Sequence, residues 1–185
     1  MLSSIFMINA GSDTVATVIR VSLLNIMSNP PVYVRLKREI FSAIREGRAS
    51  NPITLAEAKA IPYLQALIYE SLRMRSPTPG LFAKAVPPEG DYIGDMFIPG
   101  GTGVGVNSSA ILASETVFGQ DADLFRPERF LEADAVRREL MERQVELIFG
   151  FGRWMCIGKN VAWIELNKVL FEVRSPAPLT LFFFY

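Results

Sequence analysis

Up to Pro77 the chain places its apolar residues at helical spacing. Ile5, Ile8, Val15, Val18, Ile19, Val21, Leu23 and Ile26 spread round most of one circumference, which predicts a helix over residues 3–28 with much of its surface covered. Asn29-Pro30-Pro31 stops it, because a residue ahead of proline leaves the helical basin. "VYVRLKREIFSAIREG" keeps its apolar positions on one face, giving a second, amphipathic helix that ends at Gly47. Thr54 and Glu57 have the spacing of a capping box and open a short helix. Pro62 suits a first turn, where no amide partner is needed, and leads "YLQALIYESLRMR", a helix that closes before Pro77.

The texture then changes. Residues 81–107 are rich in Gly, Pro and Val, and "FAKAV", "DYIGDMFI" and "TGVGVN" read as strands of one small antiparallel sheet. "DLFRPERF" reads as irregular and extended, since Pro127 constrains Arg126. "DAVRRELMERQ" reads as a short exposed helix, and a last helix runs from near Gly158 to about Val173. The fold class is mainly α with a minor antiparallel β-sheet.

Composition narrows the chemistry. Half of the 185 residues are apolar, enough for a core. Lys plus Arg equals Asp plus Glu at 19 each, so the basic excess of a nucleic-acid binder is missing. One Cys and no His exclude an internal disulfide, a Cys/His zinc site and any histidine-activated nucleophile. "VATVIRVSLLNIM" is broken by Arg20 and too short to span a membrane, and the N-terminus lacks the basic start of a signal peptide. Catalysis is left to carboxylates, hydroxyls, Lys, Arg, the one thiol, or a cofactor.

Four stretches break the local rules. "AGSDT" (Ala10, Gly11, Ser12, Asp13, Thr14) sits inside an apolar helix, where Gly costs about 1 kcal/mol relative to Ala and the polar side chains compete with the backbone. It reads either as a kinked core helix with a solvated Asp13, or as a place where small residues admit a flat ligand beside the Thr14 hydroxyl. Glu70 and Arg73 in "ESLR" pair across one helical turn, as surface ion pairs commonly do. Arg129 in "FRPERF" lies between aromatics, either held near a core or in a solvated turn. "FGFGRWMCIGKN" brings glycines round Cys156 at a helix start, a setting for a metal-ligating thiolate or for a buried inert thiol. With no second Cys or His, any metal there must bring most of its own ligands, as haem does.

Together, in this order, the four stretches resemble the cytochrome P-450 superfamily. "FGFGRWMCIG" is similar to its haem-binding loop, "AGSDT" to its oxygen-activation motif, "ESLR" to its Glu-x-x-Arg helix and "FRPERF" to its Pro-Glu-Arg-Phe segment. "CIGKNVAWIEL" is similar to fungal members of the pisatin-demethylase type. The resemblance implies the C-terminal half of that fold over residues 1–173. It implies a monooxygenase using haem b, O2 and electrons from NADPH through a partner reductase, acting on a small apolar organic substrate. Full-length eukaryotic members sit at the endoplasmic reticulum membrane, and their anchor has no counterpart here. Cys156 would be the axial iron ligand. Phe149, Gly152, Gly158, Ala10 and Gly11 would line the haem. Thr14 and Asp13 would handle dioxygen and protons. Glu70, Arg73 and Arg129 would form a buried structural network.

The chain also departs from the pattern. Trp154, beside Arg153, stands where the family usually has a propionate-binding Arg or His, and Lys84 stands where it often has a propionate-binding Arg. The tail 174–185, "RSPAPLTLFFFY", has no likeness to the family; its Ser, Pro, Leu and Phe can all be encoded by C and T alone, and it reads as a translated pyrimidine-rich tract or a frameshift. Two other readings are a haem-thiolate isomerase or peroxide-using enzyme, against which the Asp13–Thr14 pair argues, and an inactive fragment or helical interaction module.

Overall fold

A computed structural model describes residues 2–80 and 83–173. The tail 174–185 and the expected strand start at Phe82 lie outside the described residues, as does the side chain of Ile5.

Helix α1 (Leu2–Ser28) is unbroken through "AGSDT". The hydroxyls that should compete with the helix are turned back onto it. Thr14 Oγ1 donates to the Ala10 carbonyl at 2.8 Å, Thr17 to Asp13 at 2.8 Å and Ser22 to Val18 at 2.8 Å. The covered circumference read from the sequence is corrected to one stripe. Val15, Val18, Ser22 and Ile26 are buried, while Met7, Ile8 and Leu24 are exposed. The stripe packs on α9 (Lys159–Glu172), α4 (Pro62–Met74) and α2 (Pro30–Arg45).

Helix α2 starts directly at Pro30, with Asn29 as its cap, and buries Val32, Leu36, Ile40 and Ala43 at helical spacing. Helix α3 (Leu55–Lys59) has the expected reciprocal cap between Thr54 and Glu57. Helix α4 begins at Pro62 and runs through the centre; Tyr63, Leu64, Leu67, Ile68 and Leu72 are buried along it. Gln65 on α4 donates to Asn167 Oδ1 on α9 at 2.8 Å, so the buried amide of Asn167 is satisfied.

The strands form two separate ladders where one sheet was expected. Strand β1 (Lys84–Ala85) pairs antiparallel with β4 (Gly103–Val104), and β2 (Asp91–Ile93) with β3 (Met96–Ile98). Gly94 at φ +60° turns β2 into β3, so "DYIGDMFI" is a hairpin in itself. "DLFRPERF" is irregular only as far as Glu128. From Arg129 it becomes a helical turn, α7 (Arg129–Glu132), preceded by the short helices α5 (Ser108–Leu112) and α6 (Glu115–Phe118). Helix α8 (Ala135–Glu146) is mostly exposed but buries Met141 and Val145.

Candidate functional site

Glu70, Arg73 and Arg129 converge at the end of α4. Glu70 accepts from Arg73 Nε and Nη2, each at 2.8 Å, and from Arg129 Nε at 3.1 Å. It also accepts from the Arg126 amide at 2.8 Å. The three side chains are 0%, 1% and 2% exposed, so these are not surface pairs. A buried guanidinium needs all five N–H groups matched. Arg73 completes its set on the carbonyls of Leu112 (2.9 Å), Ala122 (2.7 Å) and Leu124 (3.2 Å). Arg129 completes its own on Phe118 O (2.5 Å), Asp121 O (2.8 Å), Leu124 O (2.9 Å) and the Asp121 carboxylate (2.9 Å). Asp121, which no sequence pattern marked, balances the second positive charge. Partial burial pushes its pKa up, but the hydrogen bonds and charges of Arg129 and Arg126 outweigh this and hold it below the usual carboxylate range. Glu128, also unmarked, accepts from Tyr63 Oη at 2.7 Å and ties this segment to α4.

Cys156 lies in the loop between α8 and α9. Two 3-10 turns, Leu147–Phe149 and Gly152–Trp154, fold the loop, and the Cys156 amide donates to Phe149 O at 2.6 Å. Gly150 is the glycine the geometry demands: it has φ +75°, and a Cβ there would lie 2.6 Å from the Trp154 carbonyl oxygen. Gly152 also has a positive φ, +56°. Gly158, by contrast, sits at φ −83° as the cap of α9, because the chain has already entered helical geometry there. The thiol is exposed, which removes the reading of a buried inert cysteine.

Cys156 and Thr14 line one cavity of about 460 Å³. Its walls are Val15 and Val18 of α1, Val104–Val106 beside β4, Leu147–Phe151 of the loop, and Ala162 and Leu166 of α9. Phe149 and Lys84 also border it. Ala10, Gly11, Asp13, Gly152, Arg153 and Gly158, nominated from the sequence, do not. Ala10 is one turn along α1 from Thr14, and Asp13 is rotated about 100° away from it; both are exposed. A Cβ on Gly11 would meet nothing within 4 Å. Another cleft of about 590 Å³ lies against Arg73–Pro77, Ser109, Leu112 and Ala113, but neither Cys156 nor Thr14 reaches it.

At the propionate-type positions, Lys84 Nζ stands 4.4 Å from the Trp154 ring centroid and Arg153 Cζ 5.0 Å from it. The indole thus gathers two cations at one place, by attraction to its ring face.

The family model for cytochrome P450 matches residues 2–173, and the chain belongs to that family. It is similar to cytochrome P450 monooxygenase aba1 of Botryotinia fuckeliana, with 51% identity over 97% of this chain and 35% of the relative. It is similar to cytochrome P450 monooxygenase abl1 of Leptosphaeria maculans, at 50% identity over 92% of this chain and 30% of the relative. It is similar also to ABA1 of Pyricularia oryzae, at 50% identity over 91% and 33%. The chain spans about a third of the length of these relatives.

The family implies haem, and the cavity suits it. The walls are mostly apolar, one sulfur opens onto them, and among the described residues no cluster of His, Cys, Asp or Glu could hold a bare ion. Ser108 Oγ, on the same wall, is buried without a partner, a donor suited to a polar group of a ligand. Among the described residues no helix is long and apolar enough to cross a membrane.

Proposed function

We propose that this chain is the haem-binding portion of a haem-thiolate monooxygenase whose substrate is a small apolar organic molecule. The observation that carries the reading is the single cavity shared by Cys156 and Thr14. Haem b, when bound, supplies the activation of O2, with electrons from NADPH delivered through a partner reductase. Cys156 would hold the haem iron through its sulfur, and the Phe149 carbonyl fixes the backbone that carries it. Phe149, Val15, Val18, Ala162 and Leu166 exclude water from the site. Lys84, on the cavity wall, and Arg153, beside the Trp154 ring, would hold the cofactor's carboxylates as point charge and fork respectively. Gly152 and Gly158 would let the loop backbone approach the cofactor, and Ala10 and Gly11 would keep α1 slim beside it, although none of the four borders the cavity itself. The Thr14 hydroxyl spends its proton on the Ala10 carbonyl and keeps lone pairs free to accept a hydrogen bond in the cavity. Asp13, exposed beside Thr14 on α1, would help deliver protons from solvent. Glu70, Arg73 and Arg129 have no part in the chemistry; they hold the scaffold on which the loop is mounted. On this reading residues 1–173 are a partial cytochrome P450 domain and 174–185 a tail whose sequence has no likeness to the family.

The experiment is a carbon-monoxide difference spectrum of the reduced chain after haem addition, on the parent and on Cys156→Ala. The parent gives a thiolate-type Soret band and the variant loses it while remaining folded. A band that persists in the variant sinks the assignment. A second reading, haem binding without turnover by this chain, is favoured by the exposure of Asp13 away from the cavity. Consumption of NADPH with a reductase, without product, distinguishes it.

A further inference from the structure

Two residues stand at the two ends of the cysteine loop: Glu146 closes α8 and Lys159 opens α9. Lys159 Nζ lies 2.8 Å from Glu146 Oε2, so the ion pair ties the neck of the loop. The other carboxylate oxygen, Oε1, accepts from the Tyr69 hydroxyl at 3.0 Å. Tyr69 belongs to α4, next to Glu70. Its ring stacks on Phe130 at 5.5 Å and leans on Trp163 at 5.1 Å, and Trp163 in turn is 6.5 Å from Phe149. Lys159 Nζ stands 5.7 Å from the centroid of the Phe149 ring. Phe149 is the residue whose carbonyl receives the Cys156 amide. The neck, the ring under it and the sulfur-bearing backbone therefore form one mechanical unit anchored on α4.

We infer that Tyr69, Glu146 and Lys159 are positioning residues that clasp the cysteine loop and set where the Cys156 sulfur points. The inference rests on the haem-thiolate reading for its functional meaning and on the loop geometry alone for its structural content. Tyr69 is fit for the role because it stays a donor: burial and then the charges of Glu146 and Glu142 push its pKa up. A carboxylate at 146 can hold both partners at once, and an amide cannot accept through both of its heavy atoms. The pair is partly exposed, with side chains 36% and 24% accessible, so the clasp biases the loop and does not hold the fold.

The test uses the full chain and the variants Glu146→Gln, Tyr69→Phe, Lys159→Met and Lys159→Arg. The Cys156 amide is held by the Phe149 carbonyl, so its hydrogen exchange reports the loop directly. Without haem, Glu146→Gln and Lys159→Met should raise the exchange rates of the Cys156 amide and its loop neighbours by about threefold to fivefold, the scale of a partly exposed ion pair. Tyr69→Phe should do so to a lesser degree, and Lys159→Arg should return the rates to the parent's. Amides within α2 should be unchanged. With haem, the first two variants should shift part of the carbon-monoxide complex from the thiolate-type to the thiol-type band. Parent-like rates in Glu146→Gln overturn the inference, and so does an acceleration shared by the α2 amides, which would mean general loosening. If the parent shows no thiolate-type band while the loop rates change as stated, the clasp stands and the haem-thiolate reading fails instead.

Discussion

The charge network at the end of α4 and the cysteine loop use similar residues to opposite ends. In the network, two guanidiniums and two carboxylates are balanced, and every guanidinium N–H finds an acceptor from Glu70, Asp121 or a nearby carbonyl. At the loop, Lys84 of β1 and Arg153 of the loop itself lean on the Trp154 indole, Phe151 is 77% exposed and Ile157 94%. The first region is complete within this chain. The second offers apolar surface, cations and an orphaned Ser108 hydroxyl, and each of these suits a ligand or a partner surface. The difference separates the residues that keep the fold from the residues that face a guest.

Breaking the network should therefore have the largest effect on stability. Glu70→Ala leaves Arg73 and Arg129 buried without their shared acceptor, which costs about 3–5 kcal/mol. Chemical denaturation followed by far-ultraviolet circular dichroism should show the midpoint collapse, and Arg129→Ala should behave similarly. A midpoint near the parent's would mean that the carbonyl contacts suffice. In the loop, Gly150→Ala meets a carbonyl oxygen at 2.6 Å and must hold φ +75°, a strain of about 1–3 kcal/mol. Because the loop lies at the surface, that strain should appear as faster loop amide exchange more than as a lower midpoint. Equal exchange would show that the loop tolerates the side chain.

Acid sharpens the comparison further. Asp121 has a depressed pKa in the folded state, so its contribution is full above the unfolded carboxylate value of about 3.9 and is lost as pH falls through its lower folded value. Asp121→Asn should flatten stability against pH in that window and leave the curve near neutral pH parallel to the parent's. An unchanged acid limb would assign the loss to other carboxylates.

How much of this was legible in the sequence depended on what kind of signal each feature left. Helices with a stop or a cap, such as Asn29-Pro30 or Thr54–Glu57, were readable because local chemistry decides them. The Glu70–Arg73 spacing showed a pair, but not its burial, since burial depends on Leu112, Ala122 and Leu124 far along the chain. Asp121 and Ser108 left no signal, because an acid or a hydroxyl in a turn looks like any solvated one. The covered face of α1 was overread: apolar residues alone do not tell whether a partner surface lies against them, and Met7 and Ile8 face outward. Gly150 was visible as one of three crowded glycines, but which of them needs a positive φ follows only from the path of the backbone.

The smallest expected effect concerns α1. Gly11 stands in a continuous helix, and a Cβ there would meet nothing within 4 Å. Ala is favoured over Gly inside a helix by about 1 kcal/mol, so Gly11→Ala should stabilise the haem-free chain by up to that amount. If Gly11 keeps α1 slim for a cofactor, the same methyl group should weaken haem binding even as it raises the denaturation midpoint of the haem-free chain. The two measurements thus move in opposite directions. A rise in both would make Gly11 a neutral position with no part in the cavity, and α1 would then face its guest through Thr14, Val15 and Val18 alone. A fall in the midpoint without haem would contradict the helical conformation at residue 11 itself, since neither a clash nor a positive φ exists there to explain it.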